Sequence, residues 1–395
     1  MAEKGRAIGE PRRATGLVVF AVSLLVVAVL VEWTSRRLLP DGYFVWPPGL
    51  HRTFEAGDVI RHGVTFPAEL TINALGMRGD VPGDAHAYRI LAIGGSTTIC
   101  VFLDDAHAWP HLLQTRLNAS LAPATVWVGN VGRPGHSTPH HLLHMEKLLP
   151  QYPDIDAVVL LVGINDFVTH LTFVEHPLPM PTPKQQLGMA FSMFPGWEAD
   201  TPWYRRNLVG RALWRLSWRP LAGVEDLRPM DTKGEFQAAL RYYRQRAGRM
   251  LGALPDLEAG RAAYAKNVGR IVAAARERGV RVVLVTQPTL WREGLSADEL
   301  ATLWVGGPPI WALREGADYY SVEALAGGMV RYNATLLEVC RERGVTCVDA
   351  ASEMPRSAEL FFDDAHFTEA GSARIAELIA HRLLVDEPLH ALRTR

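Results

Sequence analysis

Five short apolar runs, each followed by an amphipathic stretch, constrain this chain more than any other feature. They lie at 89–93, 126–131, 157–162, 280–286 and 345–348. The stretches around 109–117, 142–149, 262–278, 334–343 and 375–384 carry the apolar spacing of helices. Strands of about five residues, joined by helices, predict a parallel sheet covered on both faces. Five of them predict a three-layer, flavodoxin-like doubly wound sheet of α/β class, in which ligands gather at the carboxyl ends of the strands.

Four polar segments fall at those ends. Gly94-Gly95-Ser96-Thr97 follows the first run, and Asn130-Val131-Gly132-Arg133-Pro134-Gly135 closes the second. Gly163-Ile164-Asn165-Asp166 follows the third, and Asp363-Asp364-Ala365-His366 lies just before the last helix. Each motif alone is ordinary: a glycine turn, a strand-end turn, a surface helix cap. Together they hold the parts of an acyl-transfer site. A serine hydroxyl is a weak nucleophile until a neighbouring base takes its proton, so Ser96 pairs with His366. Asp363, three residues earlier, orients the imidazole, with Asp364 as the fallback partner. The backbone N–H groups of Ser96 and Gly135 and the amide of Asn165 are the expected oxyanion donors.

In this order the four segments resemble the SGNH/GDSL hydrolase family, named for the serine, glycine, asparagine and histidine matched here by Ser96, Gly135, Asn165 and His366. Asp363 matches the family's aspartate, and Asn73-Ala74-Leu75-Gly76-Met77-Arg78-Gly79 is similar to a segment that precedes the nucleophile strand in membrane-associated members. The resemblance covers most of 88–385 and leaves an insertion at about 167–255 unmatched. It implies an ester hydrolase that works through an acyl-enzyme and needs no cofactor. An O-acyltransferase built on the same triad, and an inactive envelope binding protein, are the alternatives. The family's Gly-Asp-Ser-Leu signature reads Gly94-Gly95-Ser96-Thr97 here. The α/β-hydrolase elbow G-x-S-x-G fits less well, because Thr98 stands at its last position.

The N-terminus differs in kind. Gly16 to Val31 is apolar apart from Ser23, follows Lys4, Arg6, Arg12 and Arg13, and is extended by Thr15 and Trp33. The expected organisation is a basic cytoplasmic tail at 1–14, a transmembrane anchor at 15–33, a β-rich extension at 40–87 and the hydrolase domain at 88–385. A cleaved signal peptide is the rival reading, although Glu32, Trp33 and Thr34 offer no small-x-small cleavage site. Arg36 and Arg37 follow the span, yet the larger basic cluster precedes it, which favours a catalytic domain outside the cytoplasm. An extracytoplasmic site points to lipid or glycan esters as substrates. The net charge of −1 argues against nucleic acid as a partner, and oligomeric state is not legible.

Other residues attract attention for chemistry they do not clearly carry. His136, His140, His141 and His144 cluster after the second run, with His140 and His144 on one helical face. No carboxylate adjoins them, so no metal site is expected, and His136 is placed to touch substrate. Asp166 is expected to accept hydrogen bonds that fix the loop of Asn165. Cys100, Cys340 and Cys347 read as three buried thiols, with a Cys340–Cys347 disulfide as the alternative in an oxidising compartment. In the insertion, a helix over 208–219 would align Arg211, Arg215 and Arg219 beside Trp214 and Trp218, either as a lid or as a membrane-interface element.

Overall fold

A computed structural model of the chain describes residues 10–38, 42–55, 62–83, 88–194, 231–385 and 389. Its strands are β1 (His51–Phe54), β2 (Ala68–Thr71), β3 (Tyr88–Gly94), β4 (Val126–Asn130), β5 (Ala157–Leu161), β6 (Arg249–Leu251), β7 (Arg281–Val285), β8 (Asp318–Tyr320) and β9 (Thr346–Val348). Five of them form one parallel sheet in the order β4-β3-β5-β7-β9. Numbered along the chain from β3, that is 2-1-3-4-5, the flavodoxin-like order. Every residue of β4 and β5 is buried, as expected of strands whose two faces are both covered by helices.

Right-handed crossovers fix which face each helix takes. The β3-to-β4 connection runs toward one edge and carries Trp109–Leu121, which packs on the C-terminal helix Glu369–Val385. Every later connection runs the other way. The helices Thr138–Leu143, Ile164–Glu175, Glu258–Arg276 and Val322–Arg343 therefore pack together on the opposite face. Chain direction reverses beside β3, so a crevice opens at the carboxyl ends of β3 and β5. Ser96 and Asn165 follow those two strands directly.

The segment before β3 is bound tightly to this sheet. β1 and β2 pair antiparallel, whereas the β-prone Val64-Thr65-Phe66 is not a strand. Arg78, 2% exposed, is the tie. Its guanidinium donates to the carbonyls of Glu69, Ile99, Cys100 and Leu103 and to Asp105. Its backbone exchanges hydrogen bonds with Asn130. One side chain thus closes the turn after Ser96 against β2. Arg78→Met would leave those carbonyls and Asp105 without their partner, and stability should fall by about 3–5 kcal/mol. Urea unfolding measures this, and a loss below about 1 kcal/mol would contradict the role assigned to Arg78.

Within the expected insertion, Pro183–Ala190 and Glu235–Gln245 are helices, and β6 pairs in parallel with β8. The Trp/Arg-rich stretch with Trp197, Trp203, Tyr204, Trp214, Trp218, Arg211, Arg215 and Arg219 lies outside the described residues. Cys340 and Cys347 are disulfide-bonded, with Cα atoms 6.1 Å apart, and Cys100 is a buried free thiol. The reading of three thiols is corrected: the helix Val322–Arg343 ends at Gly344, and the chain turns straight into β9, which brings the two sulfurs together.

Glu10–Leu38 is a single helix whose stretch Thr15–Trp33 is long and apolar enough to cross a membrane. Nineteen residues span about 28 Å, close to a hydrocarbon core of about 30 Å. Its side chains from Leu17 to Val31 are largely exposed.

Candidate active site

The turn after β3 has no room for side chains before the serine. A Cβ on Gly94 would sit 2.1 Å from the Thr98 hydroxyl and 2.6 Å from the Leu161 carbonyl. A Cβ on Gly95 would sit 2.3 Å from the Asn165 amide nitrogen. In this chain the space beside Gly95 is filled by the Asn165 amide. Ser96, half-buried, opens a short helix to Ile99. Cys100, at φ 53°, ends that helix by donating to the Ser96 carbonyl. Behind the turn, the Thr97 hydroxyl bonds Gln287 at 3.1 Å.

The second segment is fastened to the first. Asn130 donates to the Thr98 carbonyl at 2.9 Å and accepts from Gly132 N–H, while Arg133 N–H reaches the Gly94 carbonyl. The chain then turns through Gly135 at φ 75°, a left-handed value that favours glycine. The Asn165 amide donates to the His136 carbonyl at 2.8 Å, so its second N–H remains for another acceptor. The backbone N–H groups of Ser96 and Gly135 have no acceptor among the described residues. Asp166 accepts from the backbone N–H and the hydroxyl of Thr138. Burial raises its carboxyl to about 6, and the Thr138 bonds oppose that shift.

The third component is the loop before the last helix. His366 Nδ1 lies 2.9 and 2.8 Å from the two oxygens of Asp363. Asp363, fully buried, also accepts from the N–H groups of Ala365 and His366 and from the Trp304 indole at 3.0 Å. The imidazole is stacked between Phe362, at 5.7 Å and 11°, and Trp304, at 6.2 Å and 16°. Burial opposes the charged imidazole, but the charge and hydrogen bond of Asp363 outweigh it and leave His366 above its ordinary value. Burial likewise opposes an ionised Asp363, yet His366 and Arg241 hold it far below the carboxylate range. Asp364, the fallback partner, has another job. It accepts from the Trp291 indole at 2.7 Å and from the N–H groups of Trp304 and Val305, fixing the strip that carries Trp304.

Three contacts tie this loop and the helix after it to segments that follow the serine turn and β7. Phe102, six residues beyond Ser96, packs edge-on against Phe362 at 6.2 Å. Leu290 N–H, past the end of β7, donates to the Asp364 carbonyl. Ser372 donates to the His107 carbonyl at 2.6 Å. No hydrogen bond joins the Ser96 hydroxyl to His366 among the described residues; such bonds commonly tighten only when substrate is bound. Residues 92–374 match the family described as GDSL-like lipase/acylhydrolase. The chain belongs to that family. As a GDSL-like hydrolase it acts on ester bonds.

Among solved structures, the GDSL-like chain is similar to LAE5, an alpha/beta hydrolase enzyme from the metagenome of Lake Arreo, Spain, at 14% identity over 78% of this chain and 97% of that one, with a TM-score of 0.41. It is also similar to Axe2, an acetylxylan esterase from Geobacillus stearothermophilus, at 13% identity over 76% of this chain and 96% of that one, with a TM-score of 0.40. No curated protein matches the chain. Likeness at this level says nothing of substrate.

Three residues of the GDSL-like site were not legible in the sequence. Trp304 walls and orients the Asp363–His366 pair. Arg241 donates to the carbonyls of Thr302 and Phe362, and Arg244 to those of Val305 and Tyr320. Both arginines are buried on Glu235–Gln245, inside the segment that looked like an insertion. Nothing in their spacing marks them, because the groups they hold lie about 60 to 120 residues away.

Proposed function

We propose that the protein is a membrane-anchored serine esterase that cleaves a lipid or glycan ester outside the cytoplasm. The observation that carries this reading is the grip of Asp363 on His366 Nδ1, with the ring stacked between Phe362 and Trp304. That grip fixes Nδ1 as the protonated nitrogen and leaves Nε2 as the base. Ser96 Oγ attacks the carbonyl carbon of the ester while its proton passes to Nε2. Charge that develops on the carbonyl oxygen is met by the N–H groups of Ser96 and Gly135 and by the free N–H of Asn165. Collapse breaks the bond to the leaving oxygen, which takes the proton from His366. Water, deprotonated by the same nitrogen, then attacks the acyl-enzyme, and the acid leaves as Ser96 Oγ takes that proton back.

Anchoring and location are supported by the exposed apolar helix and by the Cys340–Cys347 disulfide, since disulfides persist in oxidising compartments. Substrate class follows from that location. The test is a panel of p-nitrophenyl esters of increasing acyl length, with labelling by a serine-reactive phosphonate. Turnover is expected on at least one ester, with one phosphonate bound per chain at Ser96. A folded protein that neither turns over nor labels would sink the reading.

A further inference from the structure

We infer that His136, His141 and His144 form a binding site for a first-row transition-metal cation, best suited to Zn²⁺, beneath the loop that carries Gly135. Each can offer a ring nitrogen, and the three nitrogens lie within 4.8 Å of one another. Ring centroids are 5.3 to 6.2 Å apart. The grouping differs from the i, i+4 pair suggested by the sequence. His140 is outside it, because its Nδ1 bonds Ser137. The helix Thr138–Leu143 widens into a π turn at His144–Leu148, and His141 and His144 face His136 across it. Single π turns recur at functional sites.

The unusual feature is what the three rings lack. All are buried, at 4%, 1% and 0% exposure. In each, Nδ1 has neither solvent nor a hydrogen-bond partner among the described residues. One such atom is an ordinary exception. Three on neighbouring rings call for a common explanation. The opposite nitrogens supply it. His136 Nε2 lies 3.0 Å from the Met189 carbonyl and His144 Nε2 lies 3.3 Å from the Ala190 carbonyl. A carbonyl only accepts, so both these Nε2 atoms carry the hydrogen, and the Nδ1 atoms of His136 and His144 keep their lone pairs. A ring N–H given to a backbone carbonyl, with the other nitrogen left bare, is the outer-shell arrangement of metal-bound histidine.

Ligation needs neutral imidazoles. Burial, the largest cause in each, and the charges of neighbouring histidines hold the three well below the ordinary value, His144 at about 3 despite its bond to Ala190. The donor set selects the ion. Imidazole suits zinc, copper, nickel and iron, whereas calcium and magnesium take oxygen ligands. Zinc–nitrogen bonds of about 2.0–2.1 Å in tetrahedral geometry place ligand nitrogens roughly 3.3 Å apart. The rings would therefore close by up to about 1.5 Å, around three protein ligands and one open position. A bound ion would pin His136, whose carbonyl holds Asn165. The ring of His136, expected from the sequence to touch substrate, is instead buried in this cluster with Nε2 on the Met189 carbonyl.

The test uses the untagged full chain in detergent, stripped with a chelator and titrated with Zn²⁺ against a chromophoric competitor. One Zn²⁺ per chain is expected in the wild type and in Ser96→Ala, with binding at least tenfold weaker in His141→Phe and in His144→Phe. Co²⁺ loaded into the wild type reads the ligand set without any substitution, so the test survives variants that fail to fold. It should give the intense visible absorption of a four-coordinate nitrogen site. No stoichiometric Zn²⁺ uptake, equal uptake by wild type and folded variants, or the weak spectrum of six-coordinate Co²⁺ would each overturn the inference.

Discussion

Ser96→Ala should lower kcat for ester hydrolysis by about 10⁴-fold or more while leaving the fold intact. The chemical half of this expectation follows from the position of Ser96. It stands at the carboxyl end of β3, beside the amide of Asn165, and only a hydroxyl there can form the acyl-enzyme. What activity remains would come from binding and oxyanion stabilisation of attack by water. The structural half follows from what the side chain does not do. The hydroxyl is half-buried and makes no hydrogen bond to protein among the described residues. Its removal strands no partner and opens no core cavity, so stability should stay within about 0.5 kcal/mol of the parent. Initial rates on the best p-nitrophenyl ester, with thermal melting on the same preparations, check both halves. A variant that keeps its melting temperature and more than a tenth of parental kcat would remove Ser96 from the nucleophile's role.

What could be read from the sequence was governed by the range of the interactions. The strands of the main sheet are mostly apolar because both faces are covered, so a five-residue window suffices to find them. The switch point between β3 and β5 then follows from handedness alone. Ser96, Gly135, Asn165 and Asp363 to His366 were visible because each sits within a few residues of a strand end or a helix start. Trp304 and Arg241 have no such local mark. Their roles rest on partners 59 and 61 residues away. β6 and β8, of three residues each, are too short for a periodic signal. The histidine cluster was half legible. The sequence supplied the rings, but the π turn beginning at His144, whose ring meets the Ala190 carbonyl and Phe191, has no local mark in it. Gly95 shows the converse. The sequence shows its departure from the family signature, but only the fold brings Asn165, 70 residues away in the chain, into the space where a side chain would project.

Asp363→Asn should lower kcat by about 10³–10⁴-fold and also move the pH dependence in a defined direction. In the parent, Asp363 takes the Nδ1 hydrogen of His366, and its other hydrogen bonds come from Trp304, Ala365 and the His366 backbone. An asparagine of the same shape can satisfy either the ring or the surrounding N–H groups, but not both. When its amide nitrogen faces the ring, Nδ1 must accept, and the hydrogen moves to Nε2, the wrong tautomer for a base. The charge is lost as well. His366 now lies above the ordinary value of about 6.5 because the carboxylate outweighs burial. The base acts only when neutral, so parental kcat/KM should rise with pH along a limb centred above about 6.5. Without the carboxylate, burial, the largest influence, and Arg241 lower the imidazole against the smaller opposing charge of Asp364. The limb of the residual activity should then fall below about 6.5. Profiles of kcat/KM across the neutral range, on parent and variant, measure the displacement. A purely structural loss would lower both profiles without moving the limb, so an unmoved limb would mean that His366 does not sense Asp363 as a charge.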